Sequence, residues 1–194
     1  MTEIKYRGPL TKIQKKHLSE YLKNKGQLVE SVLEKVVFFD TSIFPAIGDF
    51  ATGFSRLSLR IIRSKATLRI KKGNPSDHKR NEVALSIKKN QVPKLVYILN
   101  SLGLKNGFYR PAFRRSFFID NFIVSIKTKC VMGDHFEIEL LKGSAIKNHP
   151  ITLLMKKFSL YFWSRDEYQK RIYQKMKKFP AVNVYDSKFW QELK

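Results

Sequence analysis

The chain has one cysteine, Cys130, in 194 residues. An intramolecular disulfide is therefore excluded, as is a metal site built from cysteines, and a reducing compartment is the expectation. Carboxylates are scarce: 16 Asp and Glu stand against 38 Lys and Arg, leaving a formal net charge of +22. That excess repels itself in the compact state and attracts polyanions, whether nucleic acid, polyphosphate or an anionic membrane. No apolar run approaches the roughly 20 residues that a helical membrane span needs. The opening Met-Thr-Glu-Ile-Lys-Tyr-Arg is charged where a secretory signal is apolar, so a cytoplasmic location is expected. His17, His78, His135 and His149 do not have the spacing of metal ligands. Repeats and low-complexity tracts are also missing, and the chain is read as a single domain over residues 1–194, with a tunnel sheet and two helices to about 145 and helices from about 150.

What the chain does have is charge at every second position of its strand-like segments. Arg56, Ser58 and Arg60 alternate with Leu57, Leu59 and Ile61; Thr67, Arg69 and Lys71 alternate with Leu68 and Ile70. Glu3, Lys5 and Arg7 alternate with Ile4 and Tyr6, Arg80 and Glu82 flank Asn81 ahead of Val83 and Leu85, and Glu137 and Glu139 alternate with Phe136, Ile138 and Leu140. Successive side chains on a strand point to opposite faces, so each segment has one apolar face and one charged face. Two arrangements satisfy this pattern. The charged faces meet bulk water, as on a half-solvated sheet, or the sheet curls round them and helices cover the apolar faces outside. The mixing of carboxylates with arginines, and the helices between the strands, favour the second. The expected fold is α+β: an antiparallel, eight-stranded, barrel-like tunnel with helices packed outside and a C-terminal helical segment.

Along the chain, a strand at about 3–7 precedes a helix with Thr11 and Gln14 as a capping box and Gly26 as its stop. A strand at about 35–39 leads into an Asp40–Phe54 loop that reads as a lid or rim. A hairpin follows, 57–62 and 67–71, then a Gly73–His78 loop and a strand at 80–87. Pro93 opens a second helix, whose stripe of Val92, Leu95, Val96, Leu99 and Leu102 ends at Gly103. Strands are expected at about 113–119, 122–128 and 135–141, and helix over most of 150–193, with Ser164 and Glu167 as a second capping box.

That order and those charged faces resemble the CYTH superfamily, the triphosphate tunnel enzymes that include class IV adenylyl cyclases and thiamine triphosphatases. The resemblance covers residues 1 to about 175. The family's opening E-x-E-x-K is matched by Glu3 and Lys5, with Met1 at its first Glu; its paired basic strands by 59–63 and 67–73; and its R-x-E by Arg80-Asn81-Glu82. A later arginine-bearing strand resembles Phe113-Arg114-Arg115-Ser116, and G-x-F-x-E-I-E resembles Gly133 to Glu139 with the aromatic moved by one place. The resemblance implies that Lys5, Arg60, Arg69, Lys71, Arg80 and Arg115 grip phosphate oxygens. It further implies that Glu3, Glu82, Glu137 and Glu139 hold Mg2+ or Mn2+, and that Lys5, Glu82 and Glu137 carry the catalysis. Lys127 stands where the family keeps a metal-binding Asp, so it joins the anion-binding set and brings a positive charge of its own.

Three functions remain open at this point. The first is a metal-dependent enzyme hydrolysing or cyclising a nucleoside or inorganic triphosphate. The second is a module that has lost the metal site and keeps the tunnel for polyphosphate, a nucleotide or an RNA 5′-triphosphate end. The third is a basic nucleic-acid-binding protein, read from charge alone. The basic C-terminal helix, with Lys170 and Arg171 among its cations, is an amphipathic lid or a surface for RNA or anionic membrane. Oligomeric state is not set by the sequence.

Overall fold

The computed structural model describes residues 2–39, 55–72, 79–130, 132–141, 149–176 and 181–183. The chain runs β1 (Thr2–Pro9), α1 (Lys12–Lys25), β2 (Gln27–Phe39), β3 (Ser55–Ile62), β4 (Lys65–Lys72), β5 (Lys79–Lys88), α2 (Val92–Ser101), β6 (Asn106–Ile119), β7 (Phe122–Thr128), β8 (His135–Leu140), α3 (His149–Lys157), α4 (Arg165–Met176) and β9 (Ala181–Asn183). All pairings are antiparallel. They follow the order β2-β3-β4-β5-β1-β8-β7-β6, and a long β2–β6 ladder brings the succession back to its start. Eight strands thus enclose a barrel-like tunnel, as the alternation implies, and β9 extends the sheet beside β6. The lid-like 40–54 segment and the 73–78 loop lie outside the described residues.

The apolar faces point outward under helices. On one side α1 and α3 cover β6, β7, β8 and β1, where Leu18, Leu22, Val124, Phe136 and Ile138 are completely buried. On the other, Val92, Val96 and Leu99 of α2 pack on Val37, Leu59, Ile61 and Ala66. Val83 and Leu85, expected beneath a helix, are instead 68% and 61% exposed, because the α2 cluster reaches β5 only at Ile87, near that strand's end. Both capping boxes form: Thr11 Oγ1 accepts from the Gln14 N–H while the Gln14 side chain accepts from the Thr11 N–H, and Ser164 with Glu167 repeats the exchange. Among the described residues no helix is long and apolar enough to cross a membrane.

Three element boundaries differ from the sequence reading. β2 begins at Gln27 and β6 at Asn106, each well before its expected start, and residues 181–183 form a strand where helix was expected. The early half of β6 carries Pro111, a residue that cannot donate to a ladder and argues against a central strand. Its neighbours across β2 hold it in place nonetheless, with Pro111 opposite Lys35 and Arg110 opposite Val36.

Two tight places follow from this packing. Gly8 lies opposite Phe136 in the β1–β8 ladder, and a Cβ there would reach the Tyr161 carbonyl oxygen and come within 2.6 Å of the Phe136 ring. Gly8→Ala should therefore cost at least about 1–3 kcal/mol by overpacking, read as a lower midpoint in urea, whereas Gly133→Ala would meet no atom and disturb only its left-handed backbone. His135 is buried against Trp163, its ring 5.6 Å away, and donates from Nδ1 to the Gly133 carbonyl at 2.9 Å. Burial, opposed by Glu137, lowers its pKa from 6.5 to about 4. Because the unfolded chain takes up that proton first, stability is complete above pH 6.5 and falls by roughly 1.4 kcal/mol per pH unit down to about pH 4. Thermal melts across that window should show the slope, and His135→Asn should flatten it.

Candidate anion-binding tunnel

The strand alternation delivers charged side chains from all eight ring strands into one cavity of about 630 Å3. From β1 come Lys5 and Arg7, which lie opposite Glu139 and Glu137 of β8. β3 and β4 supply Arg60, Arg69 and Lys71; β5 supplies Glu82, opposite Lys71 in the ladder. Glu34 of β2, Arg110 and Arg114 of β6, and Lys127 of β7 complete the charged wall. Eight cations thus face four carboxylates, a local excess of four positive charges. At the inner floor, Ser116 and Ser125 share a 2.8 Å hydrogen bond, and Ser116 donates to Glu30.

Two buried carboxylates organise the cations. Glu137 takes the Arg7 Nε at 2.8 Å and the Lys127 Nζ at 3.0 Å, with the Lys5 Nζ at 3.9 Å. Glu34 faces Arg60 at 3.2 Å, Arg114 at 3.4 Å and Lys127 at 3.7 Å. Lys127, buried itself, joins the two. Burial works against both carboxylates, yet the surrounding cations prevail: Lys127, Arg114 and Arg110 bring the Glu34 pKa to about 2, and Lys127, Arg7 and Lys5 hold Glu137 well below the usual carboxylate range. Glu82 pairs with Lys71 and, at 3.8 Å, with Arg69, while Glu139 takes Lys5 at 2.9 Å.

The cations are not fully satisfied by these partners. Among the described residues, Arg60 Nη2, Arg69 Nε and Arg110 Nε are buried without a hydrogen-bond acceptor, and Arg60 Nε and Arg114 Nε meet Glu34 as charges without hydrogen-bond alignment. Arg110 instead lies over the Phe38 ring at 5.1 Å. Leaving a buried charged donor unpaired costs more than the roughly 1–3 kcal/mol of a neutral one, and several such donors around one cavity mark a place for an anion with many oxygens.

Of the residues assigned to the site from sequence, Lys5, Arg60, Arg69, Lys71, Lys127, Glu82, Glu137 and Glu139 all line the tunnel. Arg115 does not. It lies in an outer groove beside α1, because adjacent strand residues face opposite ways and the β2–β6 register turns Arg114 inward, next to Glu34 and Glu30. Glu3 and Arg80 are opposite one another in the β1–β5 ladder, and their side chains, like that of Met1, lie outside those described. Sequence reasoning assigned no role to Glu34, Arg110 or Arg114, and it left Arg7 as one more charge on an alternating strand. For Arg7 the signal was present, two residues after Lys5. For Glu34 there was none, since it belongs to a stretch with apolar residues on both faces.

As they stand, the described carboxylates do not fit a divalent ion. Among the described residues no three of His, Cys, Asp or Glu come together as a ligand set, and each tunnel carboxylate is engaged by an ammonium or guanidinium. Lys127 places its ammonium between Glu34 and Glu137, so the positive charge that a metal would contribute there is supplied by the chain itself.

No family model matches the sequence, and no match is found among curated proteins. Solved structures do match. A Pyrococcus horikoshii protein is similar with a TM-score of 0.66 at 14% identity, over 89% of this chain and 99% of the other. A candidate adenylate cyclase of Vibrio parahaemolyticus is similar with a TM-score of 0.59 at 15% identity, over 89% and 98% of the two chains. A Hippeastrum candidate adenylyl cyclase, described as having a dominant triphosphatase activity, is similar with a TM-score of 0.52 at 19% identity, over 97% and 92%. With its ring of antiparallel strands and inward charges, this chain shares the fold of these solved structures, candidate adenylate cyclases among them.

Proposed function

We propose that the tunnel binds a triphosphate-bearing small molecule or a short polyphosphate, and that it does so without a divalent ion. The observation that carries this reading is the convergence of eight cations on four carboxylates in one cavity, with guanidinium N–H groups of Arg60, Arg69 and Arg110 buried and lacking acceptors. A polyphosphate brings several charges and many acceptor oxygens in a narrow chain. Arginine meets such oxygens in bidentate, charge-assisted contacts, and lysine as a point charge. Fixed in the tunnel wall by Glu34 and Glu137, the cations are held in place before the anion arrives, which lowers the ordering cost of binding. Lys127 then acts as the central counter-charge.

A second reading, metal-dependent hydrolysis or cyclisation of the triphosphate, is favoured by one feature: Glu82, Glu137 and Glu139 all face the same cavity as the cations. In that case Mg2+ or Mn2+ would displace ammonium groups from those carboxylates and polarise the phosphoryl oxygens, with Lys5 steadying the substrate. The fold serves both readings equally well.

The two readings part in one set of measurements. With EDTA present, tripolyphosphate should raise the melting temperature, since a ligand held only by the native state at a hundredfold excess over its Kd adds about 2.7 kcal/mol. Arg60→Ala and Arg110→Ala should each weaken binding about ten- to a hundredfold, the loss of a hydrogen bond to a charged group. A shift that appears only with Mg2+ or Mn2+, together with turnover of ATP or tripolyphosphate, would transfer the conclusion to the enzyme.

Lys127 is the sharper probe. Lys127→Gln leaves Glu34 and Glu137 buried without their shared cation, so it should destabilise the fold by about 3–5 kcal/mol. Lys127→Asp should go further and make folding and tripolyphosphate binding respond to added Mn2+, monitored by thermal shift. Wild-type turnover that depends on metal and survives Lys127→Ala would show that the ammonium is peripheral to the chemistry.

A further inference from the structure

We infer a second, separate anion site on the outside of the barrel: a groove between α1 and the outer face of β6 and β7 that takes the backbone of single-stranded nucleic acid. The groove measures about 450 Å3, with Lys15, Lys16, Arg115 and Lys129 around it. Only Lys15 has an acidic partner, Asp134; Lys16, Arg115 and Lys129 form no ion pair among the described residues. Three uncompensated cations beside one another repel, and the phosphates of a polyanion relieve that repulsion.

The floor decides which polyanion. Register places Leu33, Phe113 and Thr128 in one row across β2, β6 and β7, and Ser31, Arg115 and Ile126 in the next. Leu33 is 50% exposed, and the Arg115 guanidinium lies over the Phe113 ring at 5.5 Å. Flat π and guanidinium surfaces next to phosphate-seeking cations suit unpaired bases, which stack on such planes while the backbone follows the charge. A bilayer suits the groove less well. Ile126 is buried and Phe113 half-buried while Lys16 and Lys129 are exposed, so a flat lipid surface would meet the charges before those two side chains. The tunnel does not serve as this site, because its cations are already arranged around buried carboxylates inside the ring.

Fluorescence anisotropy with a labelled 5′-hydroxyl oligouridylate tests the inference, since this probe carries no triphosphate for the tunnel. Binding should persist under saturating tripolyphosphate. Lys16→Ala combined with Arg115→Ala should weaken it and lower the salt slope by about 1.4, from two lost phosphate contacts at about 0.7 each. Phe113→Ala should weaken it about fivefold or more with the slope unchanged. Removing two exposed cations elsewhere, Lys65→Ala with Lys94→Ala, should leave the slope as it is. The inference is overturned if tripolyphosphate displaces the oligonucleotide, if the control pair lowers the slope as much as the groove pair, or if only phosphatidylserine vesicles, and not the oligonucleotide, retain the protein. Matching melting temperatures among the variants establish that any loss is local.

Discussion

Charge inside the barrel is the constraint on which the rest of the structure depends. Eight cations converge on one cavity, and such a set cannot be dehydrated together without counter-charge. Glu34 and Glu137 supply it from buried positions on opposite parts of the ring, and Lys127 ties the two together across 3.7 and 3.0 Å. The strands that present these groups, β2, β7 and β8, are set by outer contacts: Val37 under α2, and Val124 and Ile138 under α1 and α3. Helices outside and ion pairs inside therefore specify the same register from two faces. A slip by one residue would turn the outer apolar residues of these strands into the tunnel and their inner charges under the helices.

This arrangement also explains why the interior is not neutral. A barrel built only for stability would fill its lumen with apolar side chains, and Val36, Phe38 and Phe108 do form a small apolar cluster inside this one. Replacing buried ion pairs by apolar residues is often stabilising in other proteins. Retaining an excess of arginine and lysine, with several guanidinium N–H groups unpartnered among the described residues, sacrifices stability in a manner that an anionic ligand would offset. The same logic separates the tunnel from the outer groove. Inside, most of the cations are held by carboxylates; outside, Lys16 and Lys129 are exposed and held by little, which suits a longer and less specific partner.

Much of the tunnel was legible in the sequence, because a strand with one charged face announces itself at period two. β1, β3, β4 and β8 each show that pattern without interruption, and their inward residues Lys5, Arg60, Arg69, Lys71, Glu137 and Glu139 were identified before any fold was known. β2 and β6 were harder for physical reasons. In β2 the inward set includes Val32, Val36 and Phe38, while outward Lys35 carries charge, so polarity no longer tells the faces apart. In β6 two adjacent arginines compete, and local pattern cannot decide between Arg114 and Arg115. Only the ladder to β2, a pairing between residues some 80 positions apart such as Ser31 and Arg115, settles which one enters. Outer coverage was over-read for a similar reason: an apolar face does not require a helix, and Val83 and Leu85 have none.

The most consequential substitution is the one at Lys127. In the resemblance read from sequence, this position belongs to a carboxylate that holds a metal, and an isolated lysine there would look like a defect. In the fold it is not isolated. Its ammonium meets two carboxylates, and the pKa of Glu34 is brought to about 2 with Lys127 as the strongest of the cations acting on it. A divalent ion and an ammonium both place positive charge between acids, but they differ in what remains for a substrate. A bound ion keeps open coordination positions and polarises a phosphoryl group; the ammonium has at most three donors, and here it stands 3.0 Å from Glu137 and 3.7 Å from Glu34. In the reading proposed above, a tunnel arranged this way would keep the electrostatics that suit a triphosphate, with an ammonium in place of the Lewis acidity that a bound ion brings to its cleavage.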